Sequence, residues 1–265
     1  MTENHMTNTP PDAMLPQPLP RNDKRRLTEL ERKKLMTIAT PTVATILHRK
    51  GYRNQFIQDV FRLTTHSRPM VGQAFTLRHI PAREDIDHPV IFRDPKHPQR
   101  VAVETVPTGD VLVMDCRRDA TSASLGGILA TRLQVRGCAG FVSDSGIRDT
   151  DYVSGLDMPV YVAARSAPTN LTKQHACDMN VPIGCGGVPV YPGDVILGDG
   201  DGVMVIPLEL LDIVIKEALL MEHFEPFAQD LILKGAVVTD VYPANGAALA
   251  LYAEYKKANP PQFEE

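Results

Sequence analysis

Between Gly126 and Asp151 the chain reads GGILATRLQVRGCAGFVSDSGIRDTD, and this stretch constrains the fold more than any other. Apolar residues recur at helical spacing after the two glycines, and the predicted apolar face consists of Ile128, Leu129, Leu133 and Val135. Gly137 suits the left-handed residue that commonly ends a helix. The apolar run from Gly140 predicts a strand. A helix, a glycine turn, a strand and a loop are therefore expected in that order.

The same stretch carries groups that suit an anion and a metal ion. Gly126 and Gly127 precede the predicted helix, whose first backbone N–H groups lack intrahelical acceptors and can bind an anion. Arg148 and Asp149 lie in the loop after the strand. A helix start, a guanidinium and a carboxylate would then converge near one end of the strand. We predict an anion and metal site there.

Composition argues against several classes of protein. The chain has 265 residues, of which 43% are apolar and 23% charged, as in an ordinary globular protein with a substantial core. A net charge of −4 gives no reason to expect nucleic-acid binding. No apolar run is long enough for a membrane span, and residues 1–20 lack the apolar segment of a secretory signal. We therefore expect neither nucleic acid nor membrane as a partner.

The four cysteines form no Cys-x-x-Cys pair, and three of them lie in apolar or glycine-rich surroundings. This pattern favours buried free thiols in a reducing compartment over a disulfide or a thiolate metal site. We expect a cytoplasmic protein.

Three regions are predicted along the chain. Residues 1–22, rich in Pro, Asn and Thr, predict a disordered, mobile arm. Residues 23–235 form the main α/β domain, and residues 236–265 form a helical tail that carries three tyrosines. Residues 82–100 are polar and interrupted by prolines, which predicts a long loop or insertion.

Helices are predicted at both ends of the main domain. Thr28 and Glu31 have capping-box spacing for a polar helix that reaches about residue 38. A second helix is capped by Thr40 and ends at Gly51. The longest helix is expected over residues 207–222.

Strands are predicted over residues 74–80, 111–115 and 158–163. The glycine-aspartate run at 198–202 joins two apolar segments and predicts a hairpin turn. It lacks the spacing of a calcium loop, and no helix directly follows it as a dinucleotide site requires.

Several charged groups have two interpretations. For His48, Arg49 and Lys50 a solvated helix end is favoured over a substrate-facing cation. For Arg78 a surface or paired position is favoured over a functional one. A third group follows the strand at 111–115 and either supports the site or is an exposed charge cluster; it consists of Asp115, Arg117, Arg118 and Asp119.

Four segments in the same order resemble the RraA-like family, and the likeness covers about residues 40 to 225. They are Ile128-Leu-Ala-Thr, Arg136-Gly-Cys-Ala-Gly-Phe-Val-Ser-Asp-Ser-Gly-Ile-Arg-Asp, Val188-Pro-Val-Tyr-Pro-Gly-Asp and Gly198-Asp-Gly-Asp-Gly-Val-Met-Val-Ile-Pro. That family holds the regulator of ribonuclease E activity and the class II 4-hydroxy-4-methyl-2-oxoglutarate aldolases. The resemblance implies an αββα swivelling sandwich with active sites between the subunits of a trimer. It makes residues 23–235 the catalytic domain.

The resemblance also implies roles for individual residues. Asp149 matches the aspartate that holds Mg²⁺ or Mn²⁺, and Arg148 matches the arginine that binds substrate oxygens. The backbone of Gly127, Ile128 and Leu129, after Gly126, matches the turn that binds the pyruvyl carboxylate. The metal would stabilise the enolate of pyruvate as a Lewis acid, and arginine offers paired donors to a carboxylate.

The chain departs from the aldolase pattern at two positions. Where those enzymes carry an acidic residue twenty-one positions before the arginine, this chain has Gly127. Those enzymes also carry an acidic residue shortly after the Arg-Asp pair. This chain has Thr150, Asp151 and Tyr152 there, and Asp151 could take the place of that acid. Glu222 or Glu225 could supply an acid to a neighbouring subunit, with simple surface positions as the favoured alternative. Loss of the first carboxylate, at Gly127, affects the proton-transfer step of the aldolases, whereas binding of the metal and of the 2-oxo acid is expected to stay intact.

We expect a metal-dependent lyase acting on a 2-oxo acid or a sugar-derived acid, with oxaloacetate decarboxylation as a side activity. The arm and the 82–100 insertion suggest a specialised substrate pocket. The alternatives are a sugar-acid dehydratase, a non-catalytic regulator that binds ribonuclease E, and a binding module without turnover. The assembly implied is a homotrimer or a dimer of trimers.

Overall fold

The computed structural model describes residues 25–65 and 68–263. The predicted arm at 1–22 lies outside them. The α-helices of this part are α1 (Glu29–Leu35), α2 (Thr40–Arg49), α3 (Pro98–Thr105), α4 (Gly127–Val135), α5 (Thr150–Val153), α6 (Leu211–Leu233), α7 (Val238–Val241) and α8 (Gly246–Ala258). The strands are β1 (Phe61–Arg62), β2 (Met70–Pro81), β3 (Val111–Asp115), β4 (Ala123–Leu125), β5 (Gly140–Ile147), β6 (Val160–Arg165), β7 (Gln174–Met179), β8 (Ile183–Cys185), β9 (Val188–Val190), β10 (Val195–Gly198) and β11 (Val203–Ile206).

The long strand β2 organises the sheet because its two halves pair with different neighbours. Residues 70–73 pair antiparallel with β10, which forms the predicted hairpin with β11. Residues 74–78 pair in parallel with β3, and β5 and β6 continue that parallel arrangement. The order is β1-β6-β5-β3-β2-β10-β11, with β4 beside β5 and β7 beside β2. Strands β8 and β9 form a separate hairpin.

Alternating side chains of these strands enter different hydrophobic clusters, since successive residues of a strand point to opposite faces. On β10, Leu197 packs under α1, α2 and α6, whereas Ile196 packs between the two groups of strands. On β3, Val113 shares that middle cluster, whereas Met114 packs under α3 and α4. The layers therefore follow the order helix, strand, strand, helix. This confirms the α/β class.

Helix α4 forms where it was predicted and is followed by Gly137 with φ of +74°. Its apolar face was only partly predicted: Leu133 is buried and Leu129 packs against the core, but Ile128 and Val135 face outward. The buried residues are Gly127, Ala130 and Leu133, whereas Ile128 is 84% exposed and Val135 is 70% exposed. The small residues face the sheet because they allow the helix to approach it closely.

Helix α2 begins at Thr40, but Ala39 is the capping residue. Thr40 was therefore wrongly predicted as the cap, and acceptors from distant segments replace it. Asp199, in the turn between β10 and β11, accepts hydrogen bonds from the backbone N (2.8 Å) and Oγ1 (2.7 Å) of Thr40. Glu222 Oε1 accepts from the N–H of Ala39 at 2.9 Å. The helix start is held by tertiary contacts.

The segment at 82–100 is less irregular than expected. It contains a 3-10 helix at Pro89–Arg93 and the first residues of α3. Buried Asp87 accepts from the N–H of Arg83 at 2.8 Å and lies 2.7 Å from Nδ1 of His175 on β7. These contacts attach the segment to the sheet.

The longest helix extends past its predicted end. A 3-10 turn at Leu208–Leu210 leads into α6, which contains Pro226 and continues to Leu233. The sequence predicted an end at about Glu222, and Pro226, which removes one helical hydrogen bond, does not end the helix either. Phe227 is buried, and its ring centroid lies 5.3 Å from that of Tyr252 and 5.2 Å from that of Tyr255, both on α8. The packing of α8 supports the extension.

Asp199→Ala tests the tertiary cap of α2. We expect the free energy of unfolding to fall by about 1–2 kcal/mol, because Thr40 loses two acceptor contacts. Urea unfolding followed by circular dichroism measures it. The control Asp201→Ala removes a carboxylate from the same turn, and equal stability of the two variants would contradict the assignment.

A second prediction concerns His79, which is 2% exposed. Its Nδ1 lies 3.0 Å from the carbonyl oxygen of Asp115, and its Nε2 has no partner among the described residues. Burial lowers the pKa of His79 from 6.5 to about 4. The unfolded chain therefore binds a proton that the folded chain does not, so this contribution to stability is complete above pH 6.5 and is lost as the pH falls toward 4.

Lowering the pH from 7.5 to 5.0 should reduce the free energy of unfolding of the wild type by about 2 kcal/mol through this group. Urea titrations at both pH values measure the change. His79→Gln should show a smaller decrease, whereas the exposed control His48→Gln should behave as the wild type. An unchanged pH dependence in His79→Gln would refute the prediction.

Candidate active site

The site forms where β4 and β5 end side by side. The two strands are parallel, so their carboxyl ends meet at one edge of the sheet. The N–H of Arg148, after β5, donates to the carbonyl of Leu125 at the end of β4, at 3.1 Å. This bond places the Arg148–Asp149 loop against Gly126 and the start of α4.

Asp149 is held in an unusual conformation. Its φ of +59° and ψ of +36° are left-handed, a conformation that aspartate tolerates better than most residues. Its Oδ2 accepts a hydrogen bond of 2.7 Å from the N–H of Gly127, the first residue of α4. A carboxylate at a helix N-terminus is stabilised by the helix dipole. Oδ1 has no hydrogen-bond partner among the described residues, and the side chain is 51% exposed.

The guanidinium of Arg148 is only loosely paired. Its Nε lies 3.9 Å from Oδ2 of Asp149, and the side chain is 49% exposed. Such an exposed pair contributes little to stability, about 0–1 kcal/mol. The donors of Arg148 are therefore available to an anion at the start of α4.

Close approach leaves little room for a side chain at Gly126 and is tight at Gly127. A Cβ at Gly126 would lie 2.8 Å from Nε of Arg148 and 2.9 Å from Oδ2 of Asp149. A Cβ at Gly127 would lie 3.1 Å from Cδ1 of Tyr152. The Tyr152 ring thus borders the space into which an acidic side chain at position 127 would extend.

These groups open into a cleft of about 130 Å³. Its lining comprises Phe92, Gln99, Arg100, Ala123, Ser124, Leu125, Gly126, Ile128, Leu129, Arg148, Asp149, Thr169 and Asn170. Gln99 Nε2 donates to the carbonyl of Ser124 at 2.5 Å and thereby fastens α3 beside β4. The sequence indicated that 82–100 shapes a pocket, but no motif pointed to Gln99, Arg100 or Asn170.

Other predicted residues lie elsewhere in this chain. Asp151 is exposed on α5, and neither it nor Glu222 nor Glu225 lines the cleft. Glu222 holds the start of α2, as described above. Burial and the nearby Glu222 raise the pKa of Glu225. A role for these acids at a neighbouring subunit stays a prediction.

The charged groups around the end of β3 have structural partners. Arg118 pairs with Asp59, and Asp115 accepts from the N–H of Arg117 at 2.8 Å. Buried Asp144 accepts from the N–H groups of Cys116 and Arg118 and so fixes this turn. Burial raises the pKa of Asp144.

Two other charged groups also have partners outside the cleft. Arg78 pairs with Asp178 on β7. Lys50 pairs with Glu217 at 2.5 Å. Neither residue lines the cleft.

The donor set near Asp149 limits which metal fits. In residues 25–65 and 68–263 no group of three or more His, Cys, Asp or Glu side chains is placed to hold a metal ion. A lone carboxylate with a free Oδ1 suits Mg²⁺, which keeps several waters when bound by one or two carboxylates. The four cysteines are free thiols, and Cys116, Cys138 and Cys185 are buried.

The fold is that of one family of proteins. The chain belongs to the RraA-like family, described as Aldolase/RraA, whose model matches residues 40–205. This confirms the resemblance seen in the sequence. Within the described residues, no helix has the length and apolarity needed to cross a membrane.

Two similar proteins carry the name "Putative 4-hydroxy-4-methyl-2-oxoglutarate aldolase". That of Halalkalibacterium halodurans is 42% identical over 99 residues, which are 37% of this chain and 47% of the relative. That of Ectopseudomonas mendocina is 37% identical over 102 residues, or 38% and 62% of the two chains. The matched region thus spans between about half and two thirds of these relatives.

Solved structures share the fold. Streptomyces coelicolor RraAS2, described as an unusual member of the RNase ES inhibitor RraA protein family, is 27% identical with a TM-score of 0.69; the match covers 77% of this chain and 98% of that one. An uncharacterized protein from Pseudomonas syringae pv. tomato is 20% identical with a TM-score of 0.70, covering 82% and 99%. The second likeness concerns the fold alone.

Proposed function

We propose that this protein is a lyase dependent on Mg²⁺ or Mn²⁺ that cleaves a 4-hydroxy-2-oxo acid to pyruvate and also decarboxylates oxaloacetate. The observation that carries the proposal is the contact between Asp149 Oδ2 and the N–H of Gly127, which sets a carboxylate with one free oxygen beside Arg148. The aldolase names of the relatives support a lyase.

In this proposal, different residues of the site bind the metal and the substrate. Asp149 Oδ1 would hold the metal, which when bound supplies a Lewis acid for the enolate of pyruvate. The N–H of Gly127 is already engaged by Asp149, so the N–H groups of Ile128 and Leu129 remain for the substrate carboxylate. Arg148 would donate to the oxygens of the 2-oxo group.

The proposed assembly is a homotrimer or a dimer of trimers. The exposed Ile128 and Val135 of α4 support a subunit contact at this edge, since large apolar side chains are costly to leave in water. Native mass spectrometry would measure the number of subunits.

Two other functions remain as alternatives. The likeness to RraAS2 favours a non-catalytic regulator that binds ribonuclease E. A sugar-acid dehydratase of the same fold would use the same carboxylate and arginine. Measuring pyruvate release from candidate 2-oxo acids separates these possibilities. A regulator releases no pyruvate, and a dehydratase removes water without breaking a carbon–carbon bond.

Asp149→Asn tests the proposed metal ligand. Asparagine tolerates the left-handed conformation and its carbonyl can still accept from Gly127, whereas alanine at φ of +59° would be strained. We expect metal-dependent pyruvate release from oxaloacetate and 4-hydroxy-4-methyl-2-oxoglutarate to decrease by more than about 100-fold, since even supporting partners of a metal contribute 10- to 100-fold. A lactate dehydrogenase-coupled assay measures the rate.

The control is Asp201→Asn, which removes an exposed charge from the turn between β10 and β11, outside the cleft. It should retain the wild-type rate. EDTA should abolish activity of the wild type. Turnover by Asp149→Asn at the wild-type rate would exclude the assignment, and pyruvate release in EDTA would exclude the metal.

A further inference from the structure

Arg100 adds a second positively charged residue to the lining of the cleft that contains Arg148 and Asp149. It lies on α3, in a segment that no part of the proposed chemistry uses. Its Cζ lies 4.8 Å from the centroid of the Phe92 ring, and the edge of the His97 ring packs against the same phenyl group at 5.4 Å between centroids. The guanidinium of Arg100 therefore packs against the Phe92 ring in a cation–π contact, and His97 packs against the same ring.

Arg100 has no anionic partner of its own. Its Nε is buried without a hydrogen bond, and within the described ranges no carboxylate forms an ion pair with it. A buried donor without an acceptor is unfavourable, and structures usually satisfy it. The missing acceptor is therefore expected to come from a ligand.

The charge of the cleft points to the same kind of ligand. Its charged lining residues are Arg100, Arg148 and Asp149, so two positive charges face one negative charge and the formal sum is +1. Asp149 is already bound to Gly127 and cannot neutralise both arginines. The excess positive charge favours an anionic ligand, and because Arg100 and Arg148 are two separate cations, an acid with two carboxylates can pair with both.

The position of Arg100 relative to the start of α4 is fixed by hydrogen bonds. Gln99, its neighbour on α3, donates to Ser124, which lies two residues before Gly126. Asn170 Nδ2 donates to Gln99 Oε1 at 3.4 Å. A ligand anchored at Gly126–Leu129 would therefore meet Arg100 at a set distance.

We propose that Arg100 determines substrate specificity by binding a terminal carboxylate at the end of the substrate opposite the 2-oxo acid. This inference rests on the proposed lyase function. Through Arg100, the segment at 82–100 would select dicarboxylic acids over equally long acids that end in a methyl group.

The test compares two substrates that differ only at C5. 4-Hydroxy-2-oxoglutarate ends in a carboxylate, and 4-hydroxy-2-oxopentanoate ends in a methyl group; cleavage between C3 and C4 releases pyruvate from both. In Arg100→Gln, kcat/KM for the dicarboxylate should decrease about 10- to 100-fold, mainly through KM, as for loss of a hydrogen bond to a charged group. The value for the methyl-ended acid should change less than about twofold, and Arg100→Lys should restore part of the selectivity.

Arg93→Gln is the matched control, because it removes an exposed positive charge from the same segment outside the cleft. It should retain the selectivity of the wild type. Equal loss for both acids in Arg100→Gln, or no loss, would overturn the proposal. A selective loss in Arg165→Gln instead would also overturn it, since Arg165 lines a second cleft that Arg148 and Asp149 also line.

A binding measurement separates this inference from the lyase function. Calorimetric titration with 2-oxoglutarate and 2-oxopentanoate in Mg²⁺ needs no turnover. If the wild type cleaves neither hydroxy acid but prefers 2-oxoglutarate, and Arg100→Gln loses that preference, the lyase function is wrong and the role of Arg100 stands. If the wild type binds both acids equally, the role of Arg100 is wrong whatever the enzyme assay gives.

Discussion

The hydrogen bond between Asp149 Oδ2 and the N–H of Gly127 joins the two parts of the chain on which the cleft depends. It connects the loop after β5 to the first turn of α4. The left-handed backbone of Asp149 turns the carboxylate back toward the helix, and Gly126 leaves room for both it and Arg148. Because one carboxylate oxygen is used in this way, the other remains free. The same contact thus fixes the position of the Asp149 carboxylate and leaves its Oδ1 without a hydrogen-bond partner among the described residues.

The sheet supports this arrangement through β2. A strand whose halves pair with different neighbours allows two groups of strands to pack face to face while remaining covalently continuous. The buried carboxylate of Asp144 reinforces the junction, since it also accepts from the N–H of Gly186 in the turn between β8 and β9 at 3.1 Å. The charged group after β3, which the sequence left as either support for the site or an exposed cluster, therefore has partners within the fold: Arg118 pairs with Asp59, and Asp115 accepts from the N–H of Arg117.

Local signals in the sequence were sufficient for much of the fold. Glycine turns, alternating strands and the capping box at Thr28 depend on neighbouring residues, and the structure has them where they were predicted. The buried face of α4 was only partly predicted because Gly127 and Ala130 pack through their small size, which a hydrophobicity pattern ignores. The end of α6 was mispredicted because aromatic side chains of α8, distant in sequence, stabilise the helix beyond Pro226.

The cleft likewise combines residues that are neighbours in the sequence with residues that only the fold brings together. Arg148, Asp149 and the glycines stand in one contiguous motif, so the sequence alone could place them together. Arg100 comes from a segment with no motif, and its nearness to them depends on the pairing of Gln99 with Ser124. In the proposed function the motif binds one end of the substrate, at the start of α4 and beside the proposed metal ligand Asp149. The positive charge proposed for the other end comes from Arg100, in the segment at 82–100, and its substitution is expected to change ligand preference while leaving the contact between Asp149 and Gly127 in place. In the proposed lyase, the reaction and the choice of substrate therefore depend on separate parts of the chain.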